Sequence, residues 1–377
     1  MVTTLTLSPT APKIALSVYF YCLPPKAPED MPYPHDLVCL AEGLKELGVA
    51  IYGHSNAWWL SAKDNSFLFN RNPDINPEDC SILVFNSSWV RRNKFPTELF
   101  HNQRKYITVY MDSDDGNQTS SWSSEARKFD FVFKSHYTTK HLYPSNVHPW
   151  HFGLSNRILE ATQDIPQFIH RDEEILVNYR LNNHFPHSVR VAADKDFLPK
   201  LSTLLPINRS VEAFAQPPSE PFEYLQWIQT GRRHYPEYYQ RLKHTVACAC
   251  FGGYFVSDLL LDPSSRLNRL SKQWISRLGF KTKTVIQWDS WRFWEALAAG
   301  CIAFHLDFER YGFYLPVMST NWEHYIGIDL DNLQPTINRL KHEPEILEHI
   351  SSSGRKWVRT HYNPVTSAER FLKTILQ

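Results

Sequence analysis

The segment from 288 to 306 combines the start of a short helix with the pattern of a buried strand. Its sequence reads WDSWRFWEALAAGCIAFHL. Asp289 or Ser290 can cap the first turn, and Gly300 stands where a left-handed residue commonly ends a helix. Residues 301–306 then predict a buried strand, so this region is expected to pack a helix against a sheet. Because a helix N-terminus carries unpaired N–H donors, its first turn is suited to an anionic ligand.

Length and charge limit the classes of protein to which the chain can belong. Its 377 residues exceed the size at which single cores usually stop growing, so we expect two domains. Lys and Arg number 40 against 39 Asp and Glu, a net charge of +1. This balance gives no electrostatic argument for a nucleic-acid partner, and we predict none.

Cysteine spacing and hydropathy predict a reduced, cytoplasmic protein. The six cysteines show no C-x-x-C and none of the paired spacing typical of a zinc site, so we expect free thiols and no bound metal. The N-terminus lacks a basic region followed by a long apolar stretch. No run of about 18 apolar residues occurs either, so we predict neither secretion nor a transmembrane segment.

The N-terminal half alternates predicted strands with a helix. A β-branched and aromatic run, a proline-rich loop, an amphipathic helix and a second strand form a βαβ unit, which implies a parallel sheet. We therefore predict a Rossmann-like domain over residues 1–160. It has no G-x-G-x-x-G, so we expect neither a nicotinamide nor any other tightly bound cofactor. The predicted strands are 13–21, 49–52, 81–85, 106–111 and 131–134, and the helix is 35–47.

The C-terminal half repeats this alternation after a linker. Residues 157–171 show weak periodicity and predict the linker, and a second Rossmann-like domain is predicted over 171–362. Gly252 and Gly253 follow one of its strands and would allow a ligand to approach the backbone closely. The predicted strands are 174–179, 245–251, 301–306 and 326–330. The predicted helices are 239–244, 333–340, 344–362 and 364–376.

The 288–306 segment resembles the donor-site signature of GT-B glycosyltransferases. The likeness is greatest to the exostosin-like form, in which an Arg precedes Glu-Ala-x-Ala-Ala-Gly-Cys-Ile-Pro. Ala303 replaces that Pro, and Gln287 stands where related retaining enzymes carry a second Glu. The matching residues are Arg292, Glu295, Ala296, Ala298, Ala299, Gly300, Cys301 and Ile302.

This resemblance implies an α/β protein in which two Rossmann-like domains face each other across a cleft. The C-terminal domain would bind a nucleotide-sugar donor. The N-terminal domain would bind a saccharide or other hydroxyl acceptor. The last helix, within 363–377, would cross back to the N-terminal domain.

Candidate donor contacts come from strand ends and from the predicted helix start. The diphosphate would meet cationic side chains and backbone N–H groups. One helical turn further on, Glu295 could accept hydrogen bonds from sugar hydroxyls; alternatively, Glu295 and Arg292 form a solvated pair on a surface helix. The donor-binding candidates are Arg180, Gly252, Gly253, Asp289, Ser290, Arg292 and Glu295, with Arg190 as a further cation.

Candidate bases for the acceptor hydroxyl lie in the N-terminal half. The acidic cluster Asp112, Asp114 and Asp115 follows a predicted strand, and its carboxylates would lie at the ligand-binding edge of the sheet. His35, at the start of the first helix, is a second candidate because its ordinary pKa lies near neutrality. A capping or turn role remains an alternative for the aspartates.

Two other function classes remain open from the sequence. A magnesium-dependent phosphatase would use Asp112 as nucleophile and Asp114 as acid. A non-catalytic carbohydrate- or protein-binding module would keep the fold without turnover, as Gln287 and Ala303 suggest. Tryptophans in or near predicted loops of the N-terminal half favour a saccharide acceptor, because sugar rings stack on aromatic faces. They are Trp58, Trp59, Trp89 and Trp122. Nothing in the sequence identifies the donor sugar, the acceptor or the stereochemical outcome.

Overall fold

The computed structural model describes residues 16–22, 34–61, 63–91, 96–113, 126–179, 181, 188–209, 217–230, 236–256 and 284–377. The strands are β1 (Ser17–Tyr21), β2 (Ala50–Gly53), β3 (Ala57–Ser61), β4 (Ser66–Phe69), β5 (Ile82–Asn86), β6 (Ile107–Asp112), β7 (Phe131–Lys134), β8 (Val147–Pro149), β9 (Asp172–Leu176), β10 (Ile207–Asn208), β11 (Thr245–Ala249), β12 (Tyr254–Val256), β13 (Thr284–Ile286), β14 (Ile302–Leu306) and β15 (Ile326–Ile328). The α-helices are α1 (His35–Glu46), α2 (Ser87–Arg91), α3 (Asn156–Ala161), α4 (Val189–Ala192), α5 (Leu198–Leu201), α6 (Pro221–Gln229), α7 (Pro236–His244), α8 (Trp291–Ala298), α9 (Phe308–Tyr311), α10 (Gln334–His342), α11 (Ile346–His361) and α12 (Pro364–Ile375). A π-helical turn, Ala193–Phe197, joins α4 to α5.

The N-terminal sheet has six parallel strands in the order β2-β1-β5-β6-β7-β8. Its central strands are apolar on both faces, as parallel strands covered on both sides must be; β5, ILVFN, is buried throughout. One face packs on α1 and α12. The other face carries mainly aromatic side chains, including Tyr21, Phe85, Trp89 and Tyr110.

The C-terminal sheet has five parallel strands in the order β10-β9-β11-β14-β15. β11 and β14 are buried along their full length. Their continuous runs of small and apolar residues therefore predicted buried strands. Behind β14, α8 packs against α11, with the rings of Trp294 and Trp357 stacked at 15°. Gly300 has φ +74° and ends α8 as predicted.

Two local predictions were wrong, and one strand pair was not predicted at all. The 157–171 segment is not a plain linker, because α3 forms within it; the Ser155 side chain accepts a hydrogen bond from the Ile158 N–H and caps that helix. Trp58 and Trp59 lie in β3, which pairs antiparallel with β4, rather than in a loop. A second antiparallel pair, β12 with β13, had no recognised sequence pattern.

The last helix packs on the N-terminal domain. Ala368, Phe371 and Ile375 of α12 belong to the same buried cluster as the apolar face of α1. The Phe371 ring lies 5.2 Å from that of Phe133 in β7. Within the described part of the chain, none of the helices is long and apolar enough to cross a membrane.

Candidate active site

The carboxyl ends of the two sheets meet where residues that follow β7 contact residues that precede α8. The Asp289 N–H donates to Nδ1 of His136 over 3.1 Å, and the Trp288 indole N–H donates to the Tyr137 carbonyl over 3.1 Å. In open α/β sheets, ligands bind at the carboxyl edge. The two ligand-binding edges therefore face one another at this junction.

The carboxyl edge of the C-terminal sheet is formed by closely packed backbone atoms. A Cβ added to Gly252 would lie 3.4 Å from the Trp288 carbonyl and 3.6 Å from the Ser290 Cβ. Gly253 has φ +93°, and a side chain there would collide with the Ile286 carbonyl. The structure thus brings the Gly252–Gly253 turn against the start of α8, where two sequence-predicted donor elements meet.

Two arginines reach this edge from different elements. Arg292, in the first turn of α8, donates from Nε to the Asn178 carbonyl just beyond β9. Arg190, in α4, donates from Nε to the Phe251 carbonyl over 3.0 Å and lies 5.6 Å from the Tyr179 ring. Both cations are therefore anchored at the ends of β9 and β11. Arg180 lies outside the described residues.

Glu295 is buried, contrary to the interpretation of a solvated surface pair. Glu295 lies in the second turn of α8 and is 1% exposed. The hydroxyl of Tyr239 donates to Oε1 over 3.1 Å, and that of Tyr238 donates to Oε2 over 3.2 Å. The negative charge of Glu295 helps to raise the pKa of the buried Tyr238 hydroxyl, after the effect of burial itself.

Asp289 and Ser290 do not cap α8 through their side chains, so this expectation was wrong. Ser290 occupies the N-cap position but its side chain makes no capping hydrogen bond. The Asp289 carboxylate instead accepts from the Trp294 indole over 2.7 Å and from the Phe152 N–H over 3.1 Å. It therefore ties α8 to the segment that connects the domains. Burial raises the pKa of Asp289 to about 7.

His35 lies at the domain junction but is enclosed there. Its Nε2 is 3.0 Å from the Gly153 carbonyl, and its ring centroid is 5.4 Å from that of Trp291. Only 1% of the residue is exposed. The sequence prediction of His35 as a base stays a prediction, and the structure packs its ring against Trp291 and Phe152.

Asp112 is the last residue of β6, at the carboxyl edge of the N-terminal sheet, and it is fully buried. Its Oδ2 accepts from Nζ of Lys134 over 2.9 Å, across the β6–β7 pair. Burial, helped by the Lys134 charge, lowers the pKa of nearby His136 to about 3, so that imidazole is neutral. Asp114 and Asp115 lie outside the described residues. In the part of the chain that is described, no cluster of His, Cys, Asp or Glu has the grouping needed to hold a metal.

Comparison with known proteins shows similarity in structure only. No family model matches the sequence, and no curated protein matches it. Among solved structures, the chain is similar to an alpha-glucosyltransferase in complex with UDP-glucose and DNA containing an abasic site, with TM-score 0.54, 9% identity and coverage of 96% of this chain and 99% of that one. It is also similar to HepE of Anabaena in complex with UDP and glucose, with TM-score 0.50, 10% identity and the same two coverages. The chain has the GT-B fold.

The GT-B fold confirms the predicted architecture of two Rossmann-like domains. Because one similar structure contains DNA, the exclusion of a nucleic-acid partner stays a prediction. Sequence reasoning missed Tyr238 and Tyr239 as partners of Glu295. No spacing pattern signals such a contact, since the residues are 56 and 57 positions apart. Lys134 and His136 were not among the predicted site residues. Lys134 meets Asp112 because β6 and β7 are neighbours, and His136 meets Asp289 only where the two domains touch.

Proposed function

We propose that the chain is a glycosyltransferase that moves a sugar from a nucleoside diphosphate sugar to a hydroxyl group of an acceptor. The observation that carries this proposal is the packing of Gly252 against the start of α8, at the edge facing the N-terminal domain. Two similar structures, which match nearly the whole chain, hold UDP-glucose or UDP and glucose. A UDP-sugar is therefore the first donor to test.

The diphosphate of such a donor would lie between the Gly252–Gly253 turn and the N-terminus of α8. Backbone N–H groups of a first helical turn bind phosphate oxygens, and small turn residues let the ligand come close. Arg190 and Arg292 would add two guanidinium groups, which suit phosphate geometry. Together they would stabilise the negative charge that develops on the leaving diphosphate.

Glu295 would fix the sugar or ribose part of the donor. Tyr238 and Tyr239 orient its carboxylate, which would accept hydrogen bonds from donor hydroxyls. Because this carboxylate is buried, each bond formed to it is sheltered from competing water. We assign it a donor-binding role.

Asp112 would accept the proton of the acceptor hydroxyl. In the transfer step, the acceptor oxygen bonds to the anomeric carbon while the bond from that carbon to the diphosphate breaks, and the hydroxyl proton passes to the carboxylate. Lys134 holds this carboxylate at the edge of the sheet. Asp112 suits the role better than His35, whose Nε2 lies against a backbone carbonyl.

The rival functions have less support. A phosphatase would use Asp112 as a nucleophile, whereas the two similar structures with this fold hold UDP-glucose or UDP and glucose. A binding module without turnover would share the donor site, and nucleoside diphosphate release distinguishes the two. Release from UDP-glucose or another UDP-sugar in the presence of acceptors supports the enzyme.

Thermal unfolding with nucleoside diphosphates tests the donor site. At about 100 times its dissociation constant, UDP or GDP should stabilise the fold by about 2.7 kcal/mol. Glu295→Gln should weaken UDP-sugar binding by about 1.5 to 3 kcal/mol, because a charged acceptor of hydrogen bonds is lost. Glu309→Gln, at an exposed position of α9, is the matched control and should bind normally. No shift with any nucleoside diphosphate would overturn the proposal.

A further inference from the structure

Three arginines gather at the amino edge of the C-terminal sheet, at the other end of α8 from the proposed donor site. Arg171 precedes β9, and Arg355 and Arg359 belong to α11. Arg171 donates from Nη1 to the Gly300 carbonyl, and Arg355 donates from Nε to the Ala298 carbonyl over 3.2 Å. Both carbonyls lie at the C-terminal end of α8. We call the three residues the arginine cluster.

The arginine cluster also holds the segment that leads from α3 to β9. Arg355 donates from Nη2 to the carbonyls of Thr162 and Gln163, over 3.1 and 2.9 Å. Arg359 donates from Nη1 to Oγ1 of Thr162 over 3.3 Å. Residues four positions apart in a helix lie on the same face, so these two arginines reach Thr162 side by side. Their guanidinium groups are therefore close neighbours.

The positive charge of the arginine cluster is not balanced by carboxylates. In the described part of the chain, none of its members forms an ion pair. Asp164 and Asp172 adjoin the cluster in sequence, but both are exposed and make no such contact with it. The C-terminal ends of α3 and α8 carry at most about −0.5 charge each, so about two of the three positive charges remain without compensation.

Burial makes this excess of charge costly. Arg171 is 6% exposed, and Arg355 and Arg359 are half-buried. Burial lowers the pKa of all three side chains, and the charges of Arg359 and Arg171 lower the pKa of Arg355 further. Because like charges in a partly dry site repel one another, an anion placed among them would relieve the repulsion.

The guanidinium groups retain N–H donors for such an anion. Each guanidinium has five N–H donors, and the carbonyl and hydroxyl contacts use only some of them. Nη2 of Arg171, Nη1 of Arg355 and Nη2 of Arg359 donate to no group in the residues that the structure describes. These nitrogen atoms are not sealed in the interior, so a ligand from solvent can reach them.

We propose that the arginine cluster binds a phosphate group. A phosphate monoester carries about −1.5 to −2 charges near pH 7, which matches the charge that the helix ends leave uncompensated. The planar guanidinium fork also pairs with two phosphate oxygens at once. Because Arg355 and Arg359 contact Thr162, the bound phosphate fastens the segment between α3 and β9 to α11.

This phosphate site is separate from the proposed donor site. The eight residues of α8 span about 12 Å, with its N-terminus at the donor edge and its C-terminus at the arginine cluster. The proposal therefore does not depend on the transferase function.

Isothermal titration calorimetry at constant ionic strength tests the arginine cluster. The probes are inorganic phosphate, pyrophosphate and glucose 6-phosphate, each titrated into the full chain with and without UDP. At least one probe should bind saturably at one site per chain when UDP is present. Arg359→Gln should weaken that binding by about 10- to 100-fold, since a hydrogen bond between charged groups is lost. Arg359→Lys keeps the charge and should recover part of the affinity.

Arg339→Gln provides the matched control. Arg339, in α10, is also a partly exposed arginine near the end of a helix, but it pairs with Glu343. Its replacement removes the same charge from the protein and should leave phosphate binding unchanged. The Arg359 side chain makes a single hydrogen bond in the described part of the chain, so its variants should fold, and their melting temperatures check this.

A second measurement identifies the source of the phosphate group. Vesicles of phosphatidylcholine that contain phosphatidic acid present the same chemistry as a lipid headgroup. Co-sedimentation with these vesicles that Arg359→Gln abolishes, without binding of the soluble probes, assigns the phosphate to a lipid. Binding of the soluble probes without co-sedimentation assigns it to a free phosphate compound.

The outcomes also separate the arginine cluster from the donor site. Binding that Arg359→Gln weakens and Arg339→Gln does not supports the cluster, whether or not UDP stabilises the protein. Equal affinities of Arg359→Gln and the wild type overturn the proposal. Phosphate binding that UDP abolishes also overturns it, because that binding would occur at the donor edge. Absence of binding to every soluble probe and to the vesicles has the same consequence.

Discussion

The edge of the C-terminal sheet that we propose for the donor is built mainly from backbone, whereas the edge of the N-terminal sheet that we propose for the acceptor is built from side chains. On the donor side, Gly252 and Gly253 pack against the start of α8, and arginines are anchored on carbonyls. On the acceptor side, Asp112 and Lys134 form a buried ion pair, and the rings of Tyr21 and Trp89 pack together on the same sheet. In the proposed transferase, the backbone site would recognise the diphosphate, the part that all nucleoside diphosphate sugars share. A side-chain site can be changed residue by residue and so can be specific to one acceptor.

The largest expected effect is on chemistry at the acceptor side. Asp112→Asn should reduce transfer, measured as release of nucleoside diphosphate, by about 10² to 10⁴-fold, because a general base is lost. UDP binding should persist, since the donor-side backbone is untouched. This variant would show that the two edges have separable roles.

A stability control is needed because Asp112→Asn leaves the Lys134 ammonium buried without its partner, which is destabilising. The double variant Asp112→Asn/Lys134→Met removes both charges and should recover much of the melting temperature without recovering transfer. Wild-type turnover in the double variant would exclude Asp112 as the base.

The buried carboxyl of Asp289, between the two sheet edges, should make the free energy of unfolding depend on pH. The pKa of Asp289 is raised from 3.8 to about 7 in the folded protein. Between these values the folded state holds a proton that the unfolded state has lost. The resulting stabilisation is therefore complete below about pH 4 and is lost as the pH rises through 7. Its full size is about 4 kcal/mol.

Urea unfolding between pH 4 and 8 measures this contribution. The stability of Asp289→Asn should fall less steeply than that of the wild type over this range. Glu42→Gln is an informative companion, since burial raises the pKa of Glu42, at the α1–α3 contact, to about 8. If the free energies of unfolding of Asp289→Asn and the wild type changed with pH in parallel, the pH dependence would not come from Asp289.

The smallest expected effect tests how tightly the backbone of the Gly252–Gly253 turn is packed. Gly253→Ala should destabilise the protein by about 3 kcal/mol, because the new Cβ both occupies a left-handed conformation and meets the Ile286 carbonyl. Gly48→Ala is the control, with φ +78° and no atom near its Cβ, and should cost about 1 kcal/mol. Equal melting temperatures for the two variants would show that the turn is not tightly packed.

Much of the fold could be predicted because its signals are local. β7 has the predicted bounds, and α1 and α12 end one residue earlier than predicted. Buried parallel strands and amphipathic helices leave continuous or periodic apolar patterns in the sequence. β3 and β4 were missed because the short pair depends on contact with the rest of the domain. A contact from the other domain also holds the pair, because the Trp59 N–H donates to the Gln229 side chain of α6.

The sequence by itself determined the alternating strands and helices, the glycine turn and the helix start at 291, because each depends on neighbouring residues. Only the tertiary structure decided how these parts are used. Asp289, expected to cap a helix, instead joins α8 to the connection between the domains. Glu295, 56 residues beyond Tyr239, gains its partners only when α7 packs beside α8. Buried polar groups must find partners wherever the folded chain supplies them, and sequence spacing does not encode which distant group that is.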